Sequence, residues 1–217
     1  MRTFIAFLSL LLAAVPAAAQ HGQHGHSHAG GEFPAGWQGR VDRPTQKIED
    51  VRFMAMADHF HVITGPHVIL WDPSRTATGE YRASVTVEHR LAPERLEGVG
   101  LLVGGQDLDG AGQDYLYFLM RHDGRYMIRH RAGDEVHTLA AWTEHPAVNQ
   151  PTAETGSENR LTIDAGSARV AFLINGTEVQ AFDRVPMLNT DGIVGFRVGH
   201  HLDIHLRDFV VEPGSPD

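Results

Sequence analysis

Between residues 51 and 211 the apolar positions fall in short runs broken by Gly, Pro, Asn and Asp, and no window repeats every 3.6 residues for long enough to make a helix. The alternation predicts strands over 51–56, 59–64, 67–71, 80–89, 97–103, 115–121, 125–131, 135–139, 159–164, 168–175, 178–182, 192–198 and 201–211. A chain with that many strands and few helices closes on itself as a sandwich or a barrel.

Two hairpins are legible residue by residue. Tyr115–Arg121 and Tyr126–Arg131 flank Asp123-Gly124, and Val170–Ile174 and Glu178–Phe182 flank Asn175-Gly176. Both dipeptides suit the positive φ angles of tight two-residue loops. The strands before these turns are apolar on both faces, which places them centrally in their sheets. A two-residue loop at Asp123-Gly124 would set Tyr115, Tyr117 and Arg121 on one face with Tyr126, Ile128 and His130. Asn175-Gly176-Thr177 is also a glycosylation sequon, but the turn explains it without a glycan.

The N-terminal stretch has a different pattern. Arg2, the apolar run Phe4–Leu12 and the small residues Ala17-Ala18-Ala19 read as a signal peptide over residues 1–19, so the mature protein is expected to be periplasmic or secreted. No apolar segment reaches the roughly 20 residues that a membrane-spanning helix needs, so no stable membrane insertion is expected. A His/Gly-rich leader over 20–36 is expected to be disordered, followed by a single domain over 37–211 and a flexible tail over 212–217. The chain has no cysteine, which excludes disulfides, thiolate metal sites and a Cys nucleophile. Its formal charge of −9 includes 18 basic residues, all Arg except Lys47 in the mature part, and their scatter builds no nucleic-acid stripe or polybasic patch.

The order of features is familiar. Tyr115-x-Tyr117-Phe118-Leu119, the Asp123-Gly124 hairpin and Asn159-x-Leu161-x-Ile163 come first. Val170-x-Phe172-x-Ile174-Asn175-Gly176-x-x-Val179, Asp191–Val198 and a closing strand over 202–211 follow. Over roughly residues 60–211 this succession resembles the laminin-G and concanavalin A-like lectin/glucanase superfamily, in particular bacterial extracytoplasmic 3-keto-disaccharide hydrolase-like domains. The resemblance implies an all-β, two-sheet antiparallel jelly-roll sandwich with a ligand on its concave sheet. Hydrolases of that superfamily carry Glu-x-Asp-x-Glu on one strand, whereas the nearest shape here is His201-Leu202-Asp203-Ile204-His205. A retaining glycosidase needs two carboxylates about 5 Å apart, which this strand does not supply. Catalytic residues are therefore unassigned, and the reading leans away from an enzyme.

The candidate chemistry lies on strand faces. His201, Asp203 and His205 alternate with Leu202, Ile204 and Leu206, giving a polar stripe able to bind a sugar or, with His200, a metal; the plain alternative is a strand with one side in water. The ends of that stripe are about 13 Å apart, so one ion would need help from another strand. His61 alternates likewise and joins the stripe if the two strands converge. Tyr117, Arg121 and His130 offer stacking surface and hydrogen bonds. The ligand-binding set is thus His61, Tyr117, Arg121, His130, His201, Asp203 and His205.

No cofactor is required. Weak Zn, Cu or Ni binding by His21, His24, His26 and His28 is an option, as is Ca in the 104–112 loop through Asp107 and Asp109. The expected partner is a saccharide or other small polar ligand, with no nucleic acid. The reading is an exported carbohydrate-interacting domain. The alternatives are a hydrolase or lyase acting on a modified, 3-keto-type glycoside through His and Asp, and a structural or metal-handling envelope protein.

Overall fold

The computed structural model describes residues 33–152, 154–186 and 188–214, so the segment expected to be a signal peptide, the leader histidines and residues 153, 187 and 215–217 lie outside the described residues. Its strands are β1 (Gln38–Val41), β2 (Val51–Ala55), β3 (His59–Thr64), β4 (Val68–Ala77), β5 (Tyr81–His89), β6 (Gly98–Gln106), β7 (Asp114–Arg121), β8 (Arg125–Ala132), β9 (Glu135–Glu144), β10 (Ser157–Ala165), β11 (Arg169–Ile174), β12 (Thr177–Asp183), β13 (Gly192–Val198) and β14 (Asp203–Pro213). They form two seven-stranded antiparallel sheets. The first has the order β1-β4-β13-β6-β7-β8-β9 and the second β12-β11-β10-β5-β14-β3-β2. The strand pattern left a sandwich or a barrel open, and the two-sheet all-β sandwich that the resemblance implies is the one found.

Each predicted run coincides with a strand, and the additions have local causes. β1 is short and follows Trp37, whose ring stacks on Phe196 at 5.2 Å and meets Phe53 edge-on. Phe33, inside the segment assigned to the leader, packs edge-on against Phe53. β4 runs past the predicted end at 71 because Asp72–Arg75 bulge away from β13, whose pairing jumps from Trp71 to Thr76. The bulge tolerates Pro73, which has no N–H to give a ladder, and Asp72 Oδ1 accepts hydrogen bonds from the Ser74 amide at 2.9 Å and hydroxyl at 2.7 Å.

The two Gly turns behave differently. At Asn175-Gly176, φ is +51° and +79° and Ile174 faces Thr177, a two-residue loop as expected. The Asn175 side chain donates to the Ala147 carbonyl (2.8 Å) and to Asn159 Oδ1 (3.0 Å), tying the 145–149 loop to β10. At the other hairpin Arg121 faces Arg125, so the loop is three residues and only Gly124 has positive φ. That extra residue reverses the predicted face sharing. Tyr117 lies opposite Arg129 and Tyr115 opposite Arg131, while Tyr126 and Ile128 turn into the core opposite Met120 and Phe118.

The closing strands are not a pair. β13 lies in the first sheet and β14 in the second, so Gly199–Leu202 crosses the sandwich edge. Thr64 clamps that crossing: its amide donates to the Leu202 carbonyl (2.9 Å), its hydroxyl to the Gly199 carbonyl (2.6 Å), and Oγ1 accepts from the Leu202 amide (3.0 Å).

Between the sheets the inward positions build one core, with Val85, Val87, Leu101, Phe118, Leu161, Phe172, Phe196 and Ile204 fully buried. The inward alternation of β5 ends at His89, which is fully buried with neither ring nitrogen hydrogen-bonded. Burial, and secondarily the neighbouring His122, lowers its pKa from 6.5 to about 4. The folded protein keeps this imidazole neutral while the unfolded chain takes up a proton below 6.5, so stability is complete above that pH and falls as pH drops toward 4. A shift of this size corresponds to roughly 3 kcal/mol. Urea denaturation at pH 7 and 4.5 should show His89→Leu losing less stability across that interval than the parent, and equal losses would refute the assignment.

Candidate functional site

The outward positions of the first sheet are not those of a solvated face. Ile69, Trp71, Leu102, Tyr115, Tyr117, Leu119 and Met127 form a second buried cluster, with Trp142 and Ile193 packed on it and Leu108 folded over from the β6–β7 loop. A sheet apolar on both faces reads as continuous hydrophobic sequence, as β6 and β7 do. Where this outer layer stops, an open cavity of about 430 Å³ remains, lined by Asp42, His67, Glu97, Tyr117, Met127, Arg129, Arg131, Trp142 and Arg197 among others. Gly98 makes room for it, since a Cβ there would sit 2.8 Å from the Trp142 ring.

Arg197 anchors the groove. It is 8% exposed, and its guanidinium forks onto Asp42 (Nη1 to Oδ1 3.0 Å, Nη2 to Oδ2 2.5 Å), donates to the Tyr115 hydroxyl (3.0 Å) and lies 5.0 Å from the Tyr117 ring centre. Burial alone would raise the Asp42 pKa, but the Arg197 charge and hydrogen bonds hold it below the usual carboxylate value. Burial raises the Tyr115 hydroxyl. At one rim Glu97 reaches His200 (Oε1 to Nε2, 3.0 Å) and His67 (Oε2 to Nε2, 3.7 Å), and the two imidazoles lie 4.5 Å apart. Burial, and then the Arg197 charge, pushes His67 down to about 4. Arg129 has a buried Nε without a hydrogen-bond partner, directly opposite Tyr117 in the ladder.

The seven residues chosen from sequence divide between different places. Tyr117 and Arg121 belong to the outer face of the first sheet, where Arg121 forks onto Asp123 (2.8 and 2.6 Å) and stacks 4.6 Å from the Trp142 ring centre. His61, Asp203 and His205 converge on the outer face of the second sheet. His61 faces His205 across the β3–β14 ladder with rings parallel at 4.4 Å, and its Nε2 is 2.7 Å from Asp203 Oδ1. His130 faces Leu116 and is held by Asp114 at 3.0 Å, so it is not in the groove. His201 lies in the crossing turn with φ of +53°, beside Thr45, Gln46 and Asp50, and does not share the face of Asp203 and His205. One groove lined by Tyr117, His130, His61 and Asp203 is therefore excluded, because β7 belongs to the first sheet and β3 and β14 to the second, which sets Tyr117 and His61 on opposite outer faces.

Arg197, Asp42, Arg129 and Trp142 escaped the sequence reading. Arg197 left a trace: Ile193, Gly195 and Arg197 alternate with the core residues Val194, Phe196 and Val198, and a charge on a strand buried on both faces must be paired. Its partner lies 155 residues away, beyond local pattern. In the 104–112 loop, Asp107 Oδ2 accepts from the Gly112 amide (2.9 Å), and the Arg40 guanidinium donates to the Leu108 and Gly110 carbonyls at 3.2 and 2.5 Å.

The sequence matches no protein-family model and no curated protein. Several solved structures share the fold. The carbohydrate binding module CBM66 from Bacillus subtilis is similar with a TM-score of 0.59 at 9% identity, over 82% of this chain and 95% of that one. The metal-free carbohydrate recognition domain of Emp46p is similar with a TM-score of 0.55 at 10% identity, over 83% of this chain and 89% of that one. A protein of unknown function with a galectin-like fold from Bacillus subtilis has a TM-score of 0.52 at 15% identity, over 82% and 89%. The chain has the two-sheet antiparallel β-sandwich fold of these structures.

Because Arg197 is buried and the half-buried Asp42 is its counter-charge, removing Asp42 strands the guanidinium, which typically costs about 3–5 kcal/mol, whereas an apolar pair of similar volume can restore stability. Asp42→Asn should lower stability by about that amount in urea titrations, and Arg197→Met combined with Asp42→Leu should recover most of it. Full stability of Asp42→Asn alone would refute the anchor role.

Proposed function

We propose that the protein is an exported saccharide-binding domain and that its groove on the first sheet takes a sugar bearing an acidic group. The observation that carries this reading is the unpartnered Arg129 guanidinium nitrogen, set opposite Tyr117 in a groove that Trp142 also lines. Aromatic faces stack on sugar rings, and a guanidinium binds a carboxylate through two parallel hydrogen bonds. Arg43, Arg129, Arg131 and Arg197 face the groove against Asp42 and Glu97, and Asp42 is already committed to Arg197. The groove is thus locally cationic in a chain of net charge −9. The names of two fold neighbours, a carbohydrate binding module and a carbohydrate recognition domain, support the saccharide class, and residues 1–19 support export.

Titration calorimetry with uronate oligosaccharides and with neutral glucan oligosaccharides tests the reading. Uronate binding should weaken roughly tenfold or more in Arg129→Ala, the scale of one charged hydrogen bond, and should fall with added salt. Equal affinity for both sugars, unchanged in Arg129→Ala, would overturn it.

A second reading, cleavage of a modified 3-keto-type glycoside, is favoured by Glu97 held between His67 and His200 at the groove rim. A carboxylate so placed suits proton transfer at a bound sugar. Under that reading Glu97→Gln abolishes release of free sugar from a 3-keto-glycoside while leaving binding intact; no release by the parent protein excludes it.

A further inference from the structure

The outer face of the second sheet carries a feature that saccharide binding does not use. Across four adjacent strands the ladder aligns Met54, His61, His205 and Glu88 in one row. Glu88 is committed to Arg207, which donates to it at 2.7 Å. His61, Asp203 and His205 remain, and one donor atom from each lies within 4.8 Å of the others. His205 is only 4% exposed, yet its Nδ1 has no hydrogen-bond partner. An unsatisfied buried polar atom costs about 1–3 kcal/mol, so it calls for an explanation. Its ring lies between two other imidazoles, His61 at 4.4 Å and His59 at 4.8 Å. Beside it, the His59 ring is oriented by Asp58 (2.7 Å) and has a buried, unpartnered Nε2.

We propose that His61, Asp203 and His205 bind a divalent transition-metal ion of the zinc type. Two imidazoles and one carboxylate suit zinc, copper or nickel, whereas calcium and magnesium prefer oxygen donors throughout. Metal bonds of 2.0–2.1 Å at tetrahedral angles place donors about 3.3 Å apart, so the widest donor separation, at most 4.8 Å, needs to close by no more than about 1.5 Å. Side-chain rotation supplies that on a rigid ladder. The alternating stripe alone spans too far for one ion, and β3 provides the missing donor from the facing strand. Asp203 is exposed, which leaves the fourth position open to water or to an external ligand.

The test must separate this site from the leader histidines and from His67, Glu97 and His200. The starting protein is the full chain with His21, His24, His26 and His28 changed to Ala. Zinc calorimetry should give one site, cobalt should give the visible absorption of a tetrahedral centre, and zinc should raise the melting temperature in proportion to the logarithm of its concentration. His61→Ala, at a partly exposed position, should abolish all three signals with an unchanged melting temperature in chelator. His205→Ala should also abolish the three zinc signals, and Asp203→Asn should weaken zinc binding roughly tenfold or more. Glu97→Gln should leave the zinc signals unchanged. Absence of zinc binding in the starting protein, retention in both His61→Ala and His205→Ala, or loss in Glu97→Gln would overturn the proposal.

Discussion

A guanidinium sealed beneath the outer layer of a β-sheet is tolerable only if its charge and donors are met, and Arg197 meets that condition through Asp42, the Tyr115 hydroxyl and the Tyr117 ring. The partners come from chain segments far apart: the end of β1, the middle of β7 and the last strand of the first sheet. Asp42 follows β1 and Arg197 lies on β13, so their contact spans β4, which lies between those strands. The groove is the space that remains where this layer ends, so its shape follows from the pairing of one buried charge. Continuum electrostatics makes such a pair a weak source of net stability, while removal of one partner leaves the other charge uncompensated. Here the arrangement that pair makes is the one a ligand would meet.

Much of the architecture was legible because strands and turns are local. Alternation located the strands, and Asn175-Gly176 declared its two-residue loop through residues that accept positive φ. Asp123-Gly124 looked equivalent and was not. With three residues in the loop, the register moved by one and every side chain of β8 changed faces relative to expectation. His201 was misassigned for a related reason: alternation was extended into a turn whose geometry is set by Thr64, a residue of another strand.

The candidate sites were legible in part. His61, Asp203 and His205 were picked out by alternation and do meet, because β3 and β14 are neighbours. Tyr117 lines the groove of the first sheet, whereas the sequence reading grouped it with residues of the other sheet. Sequence periodicity reports which face a side chain occupies and not which sheet that face belongs to. That second assignment depends on crossovers between sheets, and it separated one imagined site into two surfaces with different chemistry. One is aromatic and arginine-rich; the other is a row of imidazoles. Each is built on rigid ladders, which holds functional groups more tightly than loops do.

The crossing from Gly199 to Leu202 has a meaning for how this chain can change over time. Four residues join strands in different sheets while three hydrogen bonds from Thr64 fix their path. His200 leaves toward the groove rim and Asp203 begins the opposite face. One residue gained or lost here would turn every side chain of β14 over, exchanging Ile204 and Leu206 for Asp203 and His205 in the core. The length of this strap is therefore frozen, whereas the loop between β6 and β7 can lengthen at its exposed tip. Insertions among homologous chains should collect at such tips, and the strap should keep its count even where its residues differ.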